Sequence, residues 1–516
     1  MGISNYLSWL VGHYEKHNVI QPASKQYFDH VYFDLNVIMH IALTDSSTEA
    51  ELYEYTFLKI EQLLGYMKPR KTLTIAADGI PPFAKFNLQR ERRFKNSTEY
   101  NLEDCLSLSL TPGTTFMTNM KMNLLKFINS NIKNRYRDVI ISTSVDDIGE
   151  AEIKIGSFIS RNHKKYGNKD THCVFTPDTD VIVIMAGLCI PNIFINNGKK
   201  IINIDNLIME HFVSNLKKYD ICGFYEKNVN SFKYDFVVVS LLFGNDYFPK
   251  LAYINIEDVW NNYFLNISRL YNNIQTLNII NDDDNSMSNI FMTLINDDGV
   301  LIINRDTMIC FLEMIISSAT FKKWMNKFDN IEYNKQIYED YIYSVQWCAN
   351  MYMNNDKFDF THMFSYDYSI HPMGLLLYLK YKNANEKDHD DNNNCFNDFA
   401  KRFYEKKELE LTNQMYAIMV MPFSSRNMIY DVDKINLDSD KYKKLYDIEF
   451  CNVCKEYIDM INPLKKAERD TEDFKKKNQL SGILGDHKKQ SHKKFNLDDI
   501  YCILNHIKND INDHIE

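Results

Sequence analysis

VYFDLNVIMH, residues Val31 to His40, decides how the chain is read. Val31, Tyr32 and Phe33 run into an acid, Asp34, at the point where a strand-like pattern gives way to a helical one. The construction recurs: TLTIAAD ends on Asp78, CVFTPDTD on Asp178 and Asp180, and FVVVSLLFGND on Asp246. Apolar runs separated by segments of helical period read as buried strands of an α/β domain, a mainly parallel twisted sheet flanked by helices. Open sheets of this class place their sites outside the carboxyl ends of the strands, so the acids are expected to gather in one crevice.

The 516 residues hold 59 Lys plus Arg against 69 Asp plus Glu, a net charge of −10. At roughly 100–200 residues per domain the length predicts two to four domains. A 45% hydrophobic and 13% aromatic composition excludes wholesale disorder, and the acidic balance excludes a uniformly basic coat. Any nucleic-acid binding must use a local basic patch. Ten cysteines are scattered without a paired framework, which suits a reducing compartment. MGISNYLSWL has no signal-peptide pattern, and the longest apolar run, VIVIMAGLCI (181–190), is about half what a bilayer needs. The expectation is a soluble protein of the cytoplasm, or of the nucleus, with no membrane partner.

Composition divides the chain further. Residues 1–262 form the α/β domain, and 263–298 (including NIINDDDNSMSN) read as a linker. Residues 299–430 form a largely helical second region with a polar insertion at 383–398. Residues 431–516 follow, with a basic, expectedly mobile stretch at 462–494.

Seven acids stand at strand ends or in tight motifs: Asp34, Asp78, Glu150, Glu152, Asp178, Asp180 and Asp246. Gly79, Gly149, Ala151 and Gly244 let backbone segments approach and aim these carboxylates at one spot. Any one of them alone reads as a helix cap or a solvated side chain; seven together against apolar strands do not. Gathered without counter-charge they would repel until several kept their protons. All-oxygen ligation favours Mg²⁺, or Mn²⁺ in its place. Two such ions roughly 3.5–4 Å apart suit in-line displacement at a phosphodiester.

Within residues 1–262 the sharpest positive excess lies between Lys68 and Lys95. In AKFNLQRERRFK, Lys85, Gln89, Arg92 and Arg93 sit at i, i+4, i+7 and i+8, inside one arc of a helix, while Arg90 points elsewhere. A solvated face is the usual origin of such a run. Its start seven residues after Asp78 favours a phosphate pocket beside the acids instead.

These segments resemble the XRN family of 5′→3′ exoribonucleases, in order. The start MGISNYLSWL, YFDLNVIMH, ADGIPPFAKFNLQRERRFK, LTPGTTFM, GEAEIK, HCVFTPDTDVIVI and DFVVVSLLFGNDYFPKL cover residues 1–262. GVLIINRDTMICFL, YSVQWCANMY and LTNQMYAIMVMPFSS are similar to the family's second conserved region over 299–430. The resemblance implies a PIN/flap-nuclease-like core and assigns the seven acids to a two-Mg²⁺ catalytic set. It assigns Lys85, Gln89, Arg92 and Arg93 to a 5′-monophosphate pocket and His40 to stacking on the first base. It also implies processive degradation of 5′-monophosphorylated single-stranded RNA to mononucleotides by a monomer, with a decay-factor partner left unidentified.

Two departures stand out. The family's second stacking aromatic is a tryptophan, whereas KFDFTHMFSYDYSIHP has none, so Phe364 or Phe360 is the substitute. Ala151 replaces a glycine between the paired glutamates. The rivals are a flap endonuclease-like DNA nuclease, disfavoured because YFPKLAYINIEDVW after Asp246 lacks a Gly-rich helix-hairpin-helix, and an inactive RNA-binding scaffold, disfavoured because all seven acids are present. Cys451 and Cys454, with His487 and His492 downstream, could begin a zinc site, but the 32-residue separation and polar text favour a structural reading.

Overall fold

The computed structural model describes residues 6–14, 19–97, 102–276, 290–325, 334–353, 359–366, 368–386, 411–464, 471–491 and 494–513. A seven-stranded sheet has the order β1-β7-β6-β5-β2-β3-β4, with β1 Ile20–Pro22, β2 Gln26–Asp34, β3 Met67–Ala76, β4 Ile140–Ser144, β5 His172–Phe175, β6 Ile193–Asn196 and β7 Lys200–Asn203. The pairings β2·β3, β3·β4, β2·β5 and β5·β6 are parallel; β7 runs antiparallel to both β6 and β1 at one edge. The expected mainly parallel sheet flanked by helices is therefore present, as a mixed sheet with an antiparallel margin.

The chain steps from β2 outward to β3 and β4, then returns to the other side of β2 for β5 and β6. The order thus reverses between β2 and β5, where a crevice opens at the strands' carboxyl ends. Register brings the acids there: Asp34 pairs with Ala76, and Phe33 with Phe175. Asp78 and Asp178 therefore emerge two and three residues past the ends of β3 and β5, beside Asp34.

Both sheet faces are covered. One packs on helices Leu35–Leu43, Glu49–Tyr66 and Thr115–Phe127 through residues such as Phe33, Met39, Leu64 and Met120. The other joins a larger core with helices Val229–Leu241, Ile256–Thr276 and Lys335–Tyr352 and a two-stranded ribbon, β8 Thr293–Ile295 with β9 Leu301–Ile303. A third cluster, built on Phe83, Phe86, Tyr416, Tyr446 and Ile507, fixes the basic segment against helices Asn413–Val420 and Leu497–Asp513.

Several expectations need correction. FVVVSLLFGND is not a strand: Phe236 to Leu241 end the helix Val229–Leu241 and are all buried. A helix buried all round carries a continuous apolar run, which period alone does not separate from a buried strand. The linker's first part, through Thr276, is helical, whereas 277–289 lie outside the described residues. LIIN opens with β9 before its helix begins. Most of the insertion, 387–398, also lies outside them. Within 462–494, the structure has a helix at Glu472–Ser491. No helix among the described residues is long and apolar enough to cross a membrane.

Asp235 ties helix Val229–Leu241 to its neighbours. Its carboxylate accepts from the Tyr263 hydroxyl (2.7 Å), Met292 N–H (3.0 Å) and Thr293 hydroxyl (2.6 Å), all in the dry core. Burial pushes its carboxyl up to about 7 against those donors. The folded chain then holds a proton that the unfolded chain releases. That contribution is full below the ordinary carboxylate range and is lost as pH rises through about 7. Denaturant titrations should show wild-type stability falling relative to Asp235→Asn, by about 1 kcal/mol or more, between about pH 5 and about pH 8; a pH-independent difference would contradict this.

Candidate active site

Each acid is placed by a local device. Asp34 ends β2 and caps helix Leu35–Leu43, its Oδ1 accepting from the N–H groups of Asn36 (3.0 Å) and Val37 (3.2 Å). Asn36 in turn accepts from Asp78 N–H (2.8 Å), locking the ends of β2 and β3 together. Asp78 Oδ1 accepts from Ala151 N–H (2.9 Å) at the start of helix Ala151–Tyr166, where Glu150 is the N-cap and Glu152 lies in the first turn. Gly79 and Gly149 make these turns touch: Gly79 N–H bonds Gly149 O and Gly149 N–H bonds Ile80 O, both at 2.9 Å. A Cβ on Gly79 would stand 1.9 Å from Asp147 O, so only glycine permits the approach. Asp178 follows β5, and its Oδ1 receives Asp180 N–H at 3.4 Å at the start of helix Asp180–Gly187.

Asp246 rides on a turn made by Asn245, whose Oδ1 accepts from Tyr247 N–H (2.9 Å) and Phe248 N–H (3.3 Å). Gly244, at φ +75°, packs against the Lys250 backbone in the same turn.

Burial and mutual charge act together on several of these groups. Burial and then Asp78 push the Asp34 carboxyl well up, with Asp178 adding to it. Burial pushes Glu152 well up, followed by Glu150 and Asp78. Glu150 is raised by burial, although Lys85 draws it down. Asp180 and Glu150 both act on the buried Cys348 and Tyr352, so Asp180 faces the same crevice from the helical side.

The basic segment enters this space. Lys85 closes the turn Phe83–Lys85 and Gln89, Arg92 and Arg93 lie on helix Phe86–Ser97. Lys85 is buried, its Nζ paired with Glu150 and 3.1 Å from Asp246. Arg92 donates to both Asp246 oxygens (3.1 and 3.2 Å). Burial would raise Asp246, yet Lys85 and Arg92 together hold it below the usual carboxylate range. Arg93 donates to Gln89 O and Oε1 and to Thr111 Oγ1 (2.7 Å), beside the same helix face. Arg90 points the other way, to Met419 O (2.9 Å), and Asn87 bonds the Phe495 backbone at both N–H and C=O. Residues past 430 thus hold the basic helix from behind.

His40 is exposed at the end of helix Leu35–Leu43, where the charges of Asp78 and Arg93 both reach it. Phe364, expected to stack on a base, instead lies in the core, with Tyr341 and Tyr366 edge-on at 6.2 and 5.3 Å. Phe360 sits near Phe83 (6.3 Å), partly buried against the third cluster.

Sequence reasoning missed four residues here: Asn36, Asn245, Tyr247 and Lys154. The Tyr247 hydroxyl donates to Glu150. Lys154 Nζ donates to Ala77 O (2.7 Å), and burial pulls its amine down to about 8. Lys154 was legible as the turn-mate of Glu150 in GEAEIK; Tyr247 had no signal beyond following Asp246.

A mixed sheet with carboxylates gathered at its switch point is consistent with a PIN/flap-nuclease-like core. Residues 1–196 match the family model described as XRN 5′-3′ exonuclease N-terminus. The chain is 30% identical over 275 residues to 5′-3′ exoribonuclease 1 of Saccharomyces cerevisiae, covering 45% of this chain and 18% of that protein. It is 27% identical over 314 residues to 5′-3′ exoribonuclease 1 of Homo sapiens, covering 50% and 18%. The matches thus span about a fifth of these relatives. Among solved structures, the catalytic core of Rad2 in complex with DNA substrate is similar over 73% of this chain and 94% of that chain, at 14% identity and a TM-score of 0.33.

Lys85 is the buried cation paired with Glu150 and shares Asp246 with Arg92, so Lys85→Met leaves the buried Glu150 carboxylate without its cation. Metal-free denaturant unfolding should show a loss of about 3–5 kcal/mol; a loss below about 1 kcal/mol would mean that the pair is not buried as described.

Proposed function

We propose that the chain is a 5′→3′ exoribonuclease that removes mononucleotides processively from 5′-monophosphorylated single-stranded RNA, using two Mg²⁺ ions. The observation that carries this reading is the meeting at Asp246 of the acidic crevice and the basic helix. There Lys85 and Arg92 reach from the phosphate-binding face to the carboxylates.

The crevice fits divalent cations. Its donors are carboxylate oxygens, and Asp34, Glu150 and Glu152 are all held above their ordinary range by burial and mutual repulsion. Lys85 offsets only part of this repulsion, and bound cations would offset the rest. Asp34, Asp78, Glu150, Glu152, Asp178, Asp180 and Asp246 would hold the ions. When bound, Mg²⁺ supplies Lewis-acid stabilisation of the charge that develops on a phosphodiester.

The protein's own groups do the rest. Gln89, Arg92 and Arg93 donate to the terminal phosphate, and Lys85 stands between that pocket and the acids. The leading nucleotide is thereby held with its next phosphodiester over the crevice. His40, exposed beside Asp78 and Arg93, offers a face for the first base. A pocket sized for one phosphate disfavours a cap or triphosphate. Contacts to phosphate and ring faces read no base edges, so sequence preference is weak. The reading as a flap endonuclease is disfavoured because the chain past Asp246 forms a short bridge, Leu251 with Ile370, and then helix Ile256–Thr276.

The test uses 3′-labelled single-stranded RNA with a 5′ monophosphate, triphosphate or hydroxyl, incubated with Mg²⁺. The monophosphorylated RNA should disappear selectively, and Asp178→Ala should slow this by about 100-fold or more. Equal cleavage of the three ends would remove the phosphate-pocket assignment, and full activity of Asp178→Ala would remove the metal assignment.

A further inference from the structure

Far along the chain from the crevice, the structure assembles a second set of ligands that the sequence reading set aside. Cys451 precedes helix Asn452–Ile461, Cys454 lies in its first turn, and His487 lies near the end of helix Glu472–Ser491. One ligand atom from each falls within 4.8 Å of the other two. Cys451 Sγ stands 3.4 Å from His487 Nε2, close to the roughly 3.6 Å edge of a tetrahedron with Zn–S near 2.3 Å and Zn–N near 2.0–2.1 Å. We propose that Cys451, Cys454 and His487 bind a structural Zn²⁺ that joins these two helices.

Three physical arguments support the assignment. Two thiolates and an imidazole are a soft donor set, suited to zinc and unlike the all-oxygen crevice. The sulfurs sit at a helix N-terminus, where the exposed N–H groups favour the thiolate that a metal requires. Among the described residues from 451 to 491, only Cys454 and Leu484 are buried. A helical hairpin of this size buries too little apolar surface to be stable alone, and a metal is a usual remedy.

The 32-residue separation is no obstacle. Finger spacing describes a compact ββα frame, whereas here the intervening chain includes most of helices Asn452–Ile461 and Glu472–Ser491, and loop-closure cost rises only slowly with length. Binding releases one proton from each thiol. A fourth donor, water or protein, completes the tetrahedron.

The test uses the full chain expressed with zinc and dialysed without strong chelator. Metal analysis should find about one zinc per chain in wild type and equally in Asp178→Ala, which separates this site from the acidic crevice. Cys451→Ser/Cys454→Ser should lose it, and His487→Ala should retain zinc more weakly. Because the double variant could lose zinc by misfolding, Co²⁺ substitution of wild-type protein is the second readout: a thiolate-to-cobalt charge-transfer band with tetrahedral d–d bands is expected. No zinc in supplemented wild type, undiminished zinc in the double variant, or no thiolate band with Co²⁺ would each overturn the proposal.

Discussion

Carboxylates confined together in a dry crevice repel one another, and the architecture around the crevice is organised by that constraint. Asp34, Glu150 and Glu152 lie where burial and neighbouring acids oppose ionisation. Holding them there takes donors aimed at their oxygens and cations set among them. The N–H groups of Asn36, Val37 and Ala151 serve the first need. Lys85 and Arg92 serve the second, but only at the Glu150 and Asp246 side. On the other side Asp78 and Asp178 add to the burial that raises Asp34, and the proposed divalent metal would offset that repulsion.

The rest of the fold supplies rigidity to that arrangement. Reversal of strand order between β2 and β5 creates the opening, and the register of β2 with β3 and β5 aligns the acids at one height. The basic helix faces the crevice because its other side is pinned: Arg90 to Met419 and Asn87 to Phe495, with Phe83 and Phe86 in a shared core. Residues far apart in sequence therefore set the position of the groups proposed to hold phosphate.

Much of this was legible from local pattern. Strands that end in acids, glycines flanking Asp78 and Glu150, and the one-face spacing of Lys85, Gln89, Arg92 and Arg93 each have a short-range signature. So does the outward turn of Arg90, which emerges buried against Met419. What failed depended on tertiary surroundings. FVVVSLLFGND is apolar because its helix is enclosed on every side, which no period reveals. Phe364 is core because Tyr341 and Tyr366 close on it. Cys451, Cys454 and His487 meet only because two polar-looking helices fold back together. The support of the basic helix by Phe495 lay beyond the segments whose motifs were recognisable.

The most direct measurement of the central claim is thermal stability with and without Mg²⁺, in wild type and in Asp34→Asn/Glu152→Gln. Relief of repulsion by bound cation predicts that Mg²⁺ raises the wild-type Tm by several degrees, on the order of 2–4 °C per kcal/mol of linkage for a chain this large. The double variant, with two charges removed, should melt higher than wild type without Mg²⁺ and respond little to it. A wild-type Tm indifferent to Mg²⁺, or a variant that is less stable and equally responsive, would contradict the account.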